Sequence, residues 1–408
     1  MSLSRTLEKT VKQASQSFPV LMVTGPRQVG KSTLLEMCAE KNRSYISLDA
    51  MDLRKLAKTD PALFLQEYPP PVVIDEIQYA PELFSQIKLF VDQTKKPGLF
   101  WLTGSQKFHL MKNVSESLAG RVAVIDMLGF SCKETMHCAD QNTPFLPTRK
   151  WLTEAKKRKH TPTTLTNIYK TIWRGSFPKL IVDKKMSREM FYNSYIQTYI
   201  ERDVKDFIKI SDTIAFANFI VAVAARTAQL LNYADLARDV GVDQKTVKSW
   251  LSVLEASGLV MLLQPYHNNI SKRIIKTPKL YFLDTGLAAF LTNWNSPQSL
   301  EKGAMSGAIL ETHVFLEILK SYWHCGRQPN IFFYRDIDQV ECDFVLYQDD
   351  TLYPVEIKKT ATPSLNATSS FATLKRFDKK IGHGMVVCFV NGDVPLSKEV
   401  TALPVGYL

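Results

Sequence analysis

The sequence of 408 residues has few features of a secreted or membrane protein. Its six cysteines are scattered without a C-x-x-C pair, which argues against a disulfide framework or a zinc site and fits a reducing cytoplasm. The first residues lack the apolar core of a secretory signal, and no apolar run reaches the ~18 residues that span a bilayer. The longest candidate, residues 216–231, is interrupted by Asn218 and Arg226. We therefore expect a cytoplasmic protein without membrane contact.

Acidic residues are also in deficit. Forty Asp and Glu stand against 51 Lys and Arg, which gives a net charge of +11 and a pI of about 9.2. This balance favours an anionic partner, with nucleic acid the first candidate, although it also fits a merely soluble surface. The length predicts two to four domains.

One stretch contains a nucleotide-binding motif. A buried strand, a glycine-bounded loop and the start of a helix follow one another over residues 20–35, and the loop fits G-x-x-x-x-G-K-[ST]. Such a loop directs backbone N–H groups and a helix N-terminus at phosphates, with the lysine on the β/γ-phosphates and the serine on Mg²⁺. We predict that ATP and Mg²⁺ bind here, on Gly25, Pro26, Arg27, Gln28, Val29, Gly30, Lys31, Ser32 and Thr33.

Two acids follow a second apolar strand. Residues 70–76 read Pro-Pro-Val-Val-Ile-Asp-Glu, a pattern typical of a parallel strand whose carboxyl end faces a site. Asp75 is expected to hold Mg²⁺ through water, and Glu76 to polarise the attacking water. Both acids could instead cap the next helix. A third strand ends in Thr103-Gly104-Ser105, and either Ser105 or Gln106 could position that water.

Arg121 precedes a further strand at residues 122–125. An arginine there could reach the γ-phosphate of a neighbouring subunit as a finger. The alternative is a surface arginine at a helix C-terminus.

Together these motifs resemble the AAA+ branch of P-loop ATPases. More closely, they resemble a bacterial and archaeal family that joins this ATPase to a C-terminal domain of unknown function. The resemblance implies a parallel sheet of order 5-1-4-3-2. It also marks residues 199–204, Tyr-Ile-Glu-Arg-Asp-Val, as a family motif. Either Arg174 or Arg202 could be a lid arginine that senses nucleotide.

The middle of the chain has two parts. Residues 141–164 carry prolines and the basic run Lys-Lys-Arg-Lys-His at 156–160, which is typical of a solvated linker, with a phosphate-contacting patch as the alternative. Residues 230–263 predict a helix, a turn at Gly241 and a second helix capped by Asp243, followed by a hairpin. This is a winged helix, expected to bind DNA or to serve only in packing. Its candidate DNA contacts are Gln244, Lys245, Lys248, Lys272 and Arg273.

The C-terminal part places an acid on one predicted strand and acid-x-Lys on the next. Asp343, Glu356 and Lys358, with Glu311 on the preceding helix, resemble the restriction-endonuclease (PD-(D/E)XK) fold. The carboxylates could bind Mg²⁺ and the lysine could stabilise the reacting phosphate. The domain is then either an active nuclease or a nuclease-like domain used for binding or assembly.

The predicted fold class is α/β. An AAA+-like ATPase core (1–135) is followed by a linker and helical lid (136–215), a winged helix (216–295) and a restriction-endonuclease-like domain (296–408). The predicted function is a DNA-dependent ATPase that acts on duplex or branched DNA as a homo-oligomer, for example a hexameric ring. The alternatives are an ATP-gated metal-dependent nuclease and a nucleotide-dependent switch that binds a protein partner.

Overall fold

The N-terminal part is built on a five-stranded parallel sheet. The computed structural model describes residues 3–105, 116–158, 160, 164–199, 213–268 and 277–408. The strands lie in the order β2-β3-β4-β1-β5, which confirms the α/β class and the order that the family resemblance implied. They are β1 (Val20–Thr24), β2 (Ser44–Ser47), β3 (Val72–Asp75), β4 (Phe100–Gly104) and β5 (Val122–Asp126).

Helices cover both faces of this sheet, which is why its central strands are continuous apolar runs. Alternate residues point to opposite sides: Leu21 and Val23 pack on one face, and Val20 and Met22 on the other. The first face is covered by α1 (Leu7–Ser17) and α2 (Lys31–Cys38), and the second by α3 (Met51–Thr59), α4 (Pro61–Glu67) and α5 (Leu83–Thr94).

A series of short helices follows the sheet. They are α6 (Cys132–Thr135), α7 (Arg149–Ala155), α8 (Leu165–Arg174), α9 (Pro178–Val182) and α10 (Arg188–Tyr199). Phe145 and Trp151 lie in the segment expected to be a solvated linker, yet both are buried and stack edge to face. The composition of residues 141–164 indicated a linker because prolines and lysines outnumber these two aromatic residues.

Residues 213–291 form what we call the middle module. It contains α11 (Thr213–Ala224), β6 (Gln229–Leu230), α12 (Tyr233–Val240), α13 (Gln244–Ala256), β7 (Val260–Leu263), β8 (Lys279–Phe282) and α14 (Thr285–Leu291). Gly241 makes the turn between α12 and α13 with φ of 78°, and the Asp243 side chain caps α13 by accepting from the Thr246 N–H. The three strands pair antiparallel in the order β6-β8-β7.

The C-terminal part packs a mixed sheet against a long buried helix, α16. The hairpin strands β9, β10 and β11 are antiparallel, whereas β11, β13 and β15 run parallel. The elements are α15 (Pro297–Lys302), α16 (Ser306–Trp323), β9 (Ile331–Arg335), β10 (Glu341–Gln348), β11 (Thr351–Ile357), α17 (Ser369–Thr373), β12 (Lys380–Ile381), β13 (Gly384–Cys388), β14 (Val394–Pro395) and β15 (Val400–Pro404).

Each of the six cysteines is a free thiol, five of them buried. Within the described ranges, every helix is too short or too polar to cross a membrane.

Candidate nucleotide-binding site

The loop after β1 has the backbone of a phosphate cradle. Gly25, Gln28 and Gly30 have φ values of 152°, 61° and 92°, so the chain turns tightly and α2 starts directly at Lys31. A Cβ atom on Gly25 would lie 2.1 Å from the Met127 carbonyl oxygen, beyond the end of β5, so only glycine fits there. The carboxyl edge of the sheet therefore imposes the first glycine of the motif.

Lys31 and Ser32 lie where the phosphate-loop motif requires a phosphate-binding lysine and a metal-binding serine. Lys31 as a residue is only 6% exposed, and its ammonium donates to the Gly25 and Pro26 carbonyl oxygens at 3.0 and 2.8 Å, which holds it inside the loop. The Ser32 hydroxyl donates to the Asp75 carboxylate at 2.9 Å. A hydroxyl beside a carboxylate is the oxygen donor set that Mg²⁺ prefers, so these residues fit the ion.

Asp75 has two further hydroxyl partners. The Tyr45 hydroxyl donates to it at 2.6 Å, and the Thr103 hydroxyl also donates to it. Burial and the Asp75 charge raise the pKa of Tyr45, so that its hydroxyl stays protonated and donating. Tyr45 was not predicted as a site residue because β2 reads only as a short strand. Parallel pairing of β2 with β3, Ser47 beside Asp75, brings it to the site.

Glu76 and Ser105 lie at the same edge of the sheet. Glu76 adopts a left-handed backbone with φ of 57°, costly for a residue other than glycine and common at functional sites. The Glu76 N–H donates to Thr103 Oγ1 at 3.3 Å, and its carboxylate accepts from Gln78. Ser105 is 96% buried, and its hydroxyl has no hydrogen-bond partner among the described residues. Gln106 lies outside the described residues.

Two segments from later in the chain pack on the phosphate loop. A Cβ on Gly30 would lie 3.7 Å from Pro178 Cγ, and one on Gly258 would lie 3.0 Å from Pro26 Cγ. Beside Pro26, the end of α13 also borders a cavity of about 490 Å³ that reaches Ser105 and Asp126. The middle module is therefore in direct contact with the nucleotide-binding loop.

The predicted arginines lie elsewhere. Arg121 precedes β5 at the amino edge of the sheet, about 16 Å from the carboxyl edge, and pairs with Asp92 at 2.5 Å. It therefore lies too far from the phosphate loop of its own chain to contact a phosphate there. Arg174 donates to the Leu180 carbonyl oxygen at 2.5 Å and so turns into its own segment. Arg202 lies outside the described residues.

The predicted DNA contacts are divided between described and undescribed parts. Gln244, Lys245 and Lys248 are exposed on α13, with the Lys248 ammonium 5.2 Å from the Tyr233 ring centroid. Lys272 and Arg273 lie outside the described residues. Whether any of them contacts DNA stays a prediction.

The C-terminal carboxylates Glu311, Asp343 and Glu356 lie close enough to interact electrostatically. Asp343 accepts from the Ile357 N–H at 2.7 Å, and Glu356 accepts from the Lys358 ammonium at 2.6 Å. Burial and the neighbouring Asp343 raise the pKa of Glu356 to about 8 and that of Glu311 to about 7. Across the described ranges, however, no three Asp, Glu, His or Cys side chains are arranged to hold a metal ion.

Lys279 is the residue that sequence reasoning missed in this cluster. Its ammonium bonds to Glu311 at 3.0 Å and also pairs with Glu341. In the sequence it directly precedes the apolar run at residues 280–283, on the wing side of the predicted winged helix, a position that gives no sign of burial. The side chain is instead 97% buried.

The comparison with protein families divides the chain into three matched regions. Residues 17–136 match an AAA domain. This part of the chain is thus similar to AAA-type P-loop ATPase domains. Residues 165–298 match a domain of unknown function (DUF8612), and residues 306–408 match another (DUF4143). The restriction-endonuclease resemblance is thus not among these matches.

Two mycobacterial relatives match most of this chain, and solved structures match smaller parts of it. An uncharacterized protein of Mycobacterium tuberculosis (Rv2008c) and one of Mycobacterium bovis (Mb2031c) are each 29% identical, over 97% of this chain and 82% of theirs. Among solved structures, a Walker-type ATPase of Pyrococcus abyssi is 15% identical, with a TM-score of 0.43 over 70% of this chain and 94% of its own. The RuvB Holliday junction branch migration motor of Thermotoga maritima is 14% identical, with a TM-score of 0.31 over 64% and 89%. Likeness at this level says nothing about activity.

Proposed function

We propose that this protein is a DNA-dependent ATPase that works as a homo-oligomer on duplex or branched DNA. The observation that carries the proposal is the contact between Gly258 and Pro26. It joins the phosphate loop to α13, and the opposite end of α13 presents Gln244, Lys245 and Lys248 to solvent. A change at the nucleotide would then move a cationic helix end.

The ATPase chemistry is assigned to residues at the carboxyl edge of the sheet. Lys31 would bind the β- and γ-phosphates, and Ser32 and Asp75 would hold Mg²⁺, which supplies charge neutralisation when bound. Glu76 would orient the attacking water, with Ser105 beside it. Arg121 of one subunit would serve the site of the next, which makes turnover depend on assembly.

The middle module is proposed to bind DNA as a winged helix. Its order of helix, strand, two helices and hairpin supports this assignment, as do the exposed polar residues at the start of α13. Lysines there would contact phosphates, and Gln244 could reach a base edge.

The test compares ATP hydrolysis with four-way junction, fork and linear DNA for the wild type and a Lys245→Ala/Lys248→Ala variant. We expect stimulation by DNA in the wild type. In the variant we expect weaker DNA binding and a salt dependence that is shallower by about one unit per lost phosphate contact. The matched control is Lys55→Ala/Lys58→Ala, two exposed lysines with the same spacing on α3.

Identical hydrolysis with and without every DNA would contradict the proposal. Stable ATP binding without turnover, together with no retention of DNA, would instead favour the switch that binds a protein partner.

The nuclease alternative has one observation in its favour, the closeness of the carboxylates of Glu311, Asp343 and Glu356, which act on one another electrostatically. It predicts Mg²⁺-dependent cleavage of plasmid, fork or junction DNA that disappears in Asp343→Ala, with Asp349→Ala on the exposed β10–β11 turn as the control. Intact DNA under all these conditions would reject it.

A further inference from the structure

The carboxylate cluster of the C-terminal domain contains a cation that the chain itself supplies. Lys279 comes from β8 of the middle module, whereas Glu311 is on α16 and Glu341 is on β10. The ammonium pairs with both glutamates, and electrostatic attraction from Asp343 also acts on it. A single buried positive charge thus faces three acids from another part of the fold.

The surroundings fix this lysine in place. Tyr281 is the next residue on the same face of β8. Its hydroxyl donates to Glu311 at 2.6 Å, and its ring stacks on Phe315 with 4.2 Å between ring centroids. Beyond β7, the Tyr266 N–H donates to the Phe333 carbonyl oxygen at 2.6 Å, which extends the C-terminal sheet into the middle module. The Lys279 side chain is 97% buried, so water cannot screen its charge effectively.

The remaining acids also have protein donors. Arg335 binds the other Glu341 oxygen at 3.1 Å, the Ile357 N–H binds Asp343, and Lys358 binds Glu356. A divalent cation would have to displace Lys279 or share its carboxylates. These residues therefore do not fit a resident metal ion in this arrangement.

We propose that Lys279 is the counter-ion of the C-terminal carboxylate cluster. Its ammonium, which the middle module supplies, takes the position of a divalent cation and closes the cluster to metal. The ion pairs of Lys279 then hold the C-terminal domain against the middle module. Access of a metal would require β8 to withdraw. This inference does not depend on DNA-dependent ATP hydrolysis, because none of its residues belongs to the nucleotide-binding site or to the proposed DNA contacts.

The test measures thermal unfolding of the full chain with EDTA and with Mn²⁺, and Mn²⁺ binding by titration. The wild type is expected to bind no Mn²⁺ at this cluster, so that Glu311→Gln leaves the titration unchanged. In Lys279→Met the ammonium shared by Glu311, Glu341 and Asp343 is lost, so the melting temperature should fall in EDTA and rise again with Mn²⁺. Lys279→Met/Glu311→Gln should lose the Mn²⁺ response.

The matched control is Lys320→Met. Lys320 is equally buried but bonds to a single carboxylate, Glu317, so its removal should lower the melting temperature without creating a response to Mn²⁺. Mn²⁺ binding by the wild type that Glu311→Gln abolishes would overturn the proposal. So would a Lys279→Met protein that Mn²⁺ leaves unchanged. If Lys279→Met does not fold, the wild-type titration with and without Glu311→Gln still decides.

Discussion

Replacing Lys31 by alanine is expected to weaken nucleotide binding strongly, whereas Glu76→Gln should retain binding and lose turnover. Lys31 is the buried cation inside the phosphate loop, and a charged hydrogen bond of this kind contributes about 1.5–3 kcal/mol, or roughly 10- to 150-fold in affinity. Glu76 would act only on the water, so its loss should lower the hydrolysis rate by about 10²- to 10⁴-fold at unchanged affinity.

The measurement is titration of a fluorescent ATP analogue beside steady-state release of phosphate. Lys41→Ala, an exposed lysine just beyond α2, is the control for a general charge effect. Unchanged nucleotide affinity in Lys31→Ala would show that the loop is not the binding site. Full activity in Glu76→Gln would assign the water to another residue, with Ser105 the next candidate.

The second large effect is expected at Glu134, in the ATPase part. This carboxylate is fully buried and accepts from the Thr6 and Ser131 N–H groups at 2.9 and 2.8 Å. It also lies 3.5 Å from the Arg5 guanidinium and 3.3 Å from His324, which follows α16. Glu134→Gln leaves Arg5 buried without a counter-charge, which should lower the free energy of unfolding by about 3–5 kcal/mol.

This network also predicts acid sensitivity. Burial alone would raise the pKa of Glu134, but Arg5 and His324 hold it well below its usual range. Burial lowers the pKa of His324, and lowers that of His313 to about 4. As pH falls below about 6.5, the unfolded chain binds protons at histidines that stay neutral in the folded protein, so the free energy of unfolding falls. Protonation of Glu134 in the unfolded chain lowers it further below about pH 4.5.

Chemical denaturation at pH 7 and pH 5 measures the free energy of unfolding, and so both the cost of Glu134→Gln and the acid sensitivity. His313 alone should cost the wild type about 2 kcal/mol at pH 5, and His313→Asn should remove that part of the pH dependence. Glu154→Gln, an exposed ion-paired glutamate, is the control for Glu134→Gln. A Glu134→Gln protein as stable as this control, or a stability that does not fall in acid, would contradict the role given to the network.

Local patterns were sufficient for the nucleotide-binding half. The apolar runs before Gly25 and Asp75 predict buried parallel strands, and the glycine spacing predicts the loop, because both depend on a few neighbouring residues. The order of the strands came from the family resemblance, since periodicity does not define which strand lies beside which. Partners such as Tyr45 and Thr103 on Asp75 could not be predicted, because each arrives from a separate strand.

The sequence by itself determined the glycine-bounded loop before α2, the acid at the end of β3, the helix pair with its cap at Asp243, and the strands that carry Asp343 and Glu356. Only the tertiary structure decided what surrounds them. It turns Arg121 away from its own phosphate loop, packs Gly258 on Pro26 and buries Lys279 among the C-terminal acids. The physical reason is that charge and burial of long side chains depend on residues distant in the chain: the same lysine pattern describes a solvated wing or a counter-ion, and the fold alone distinguishes them.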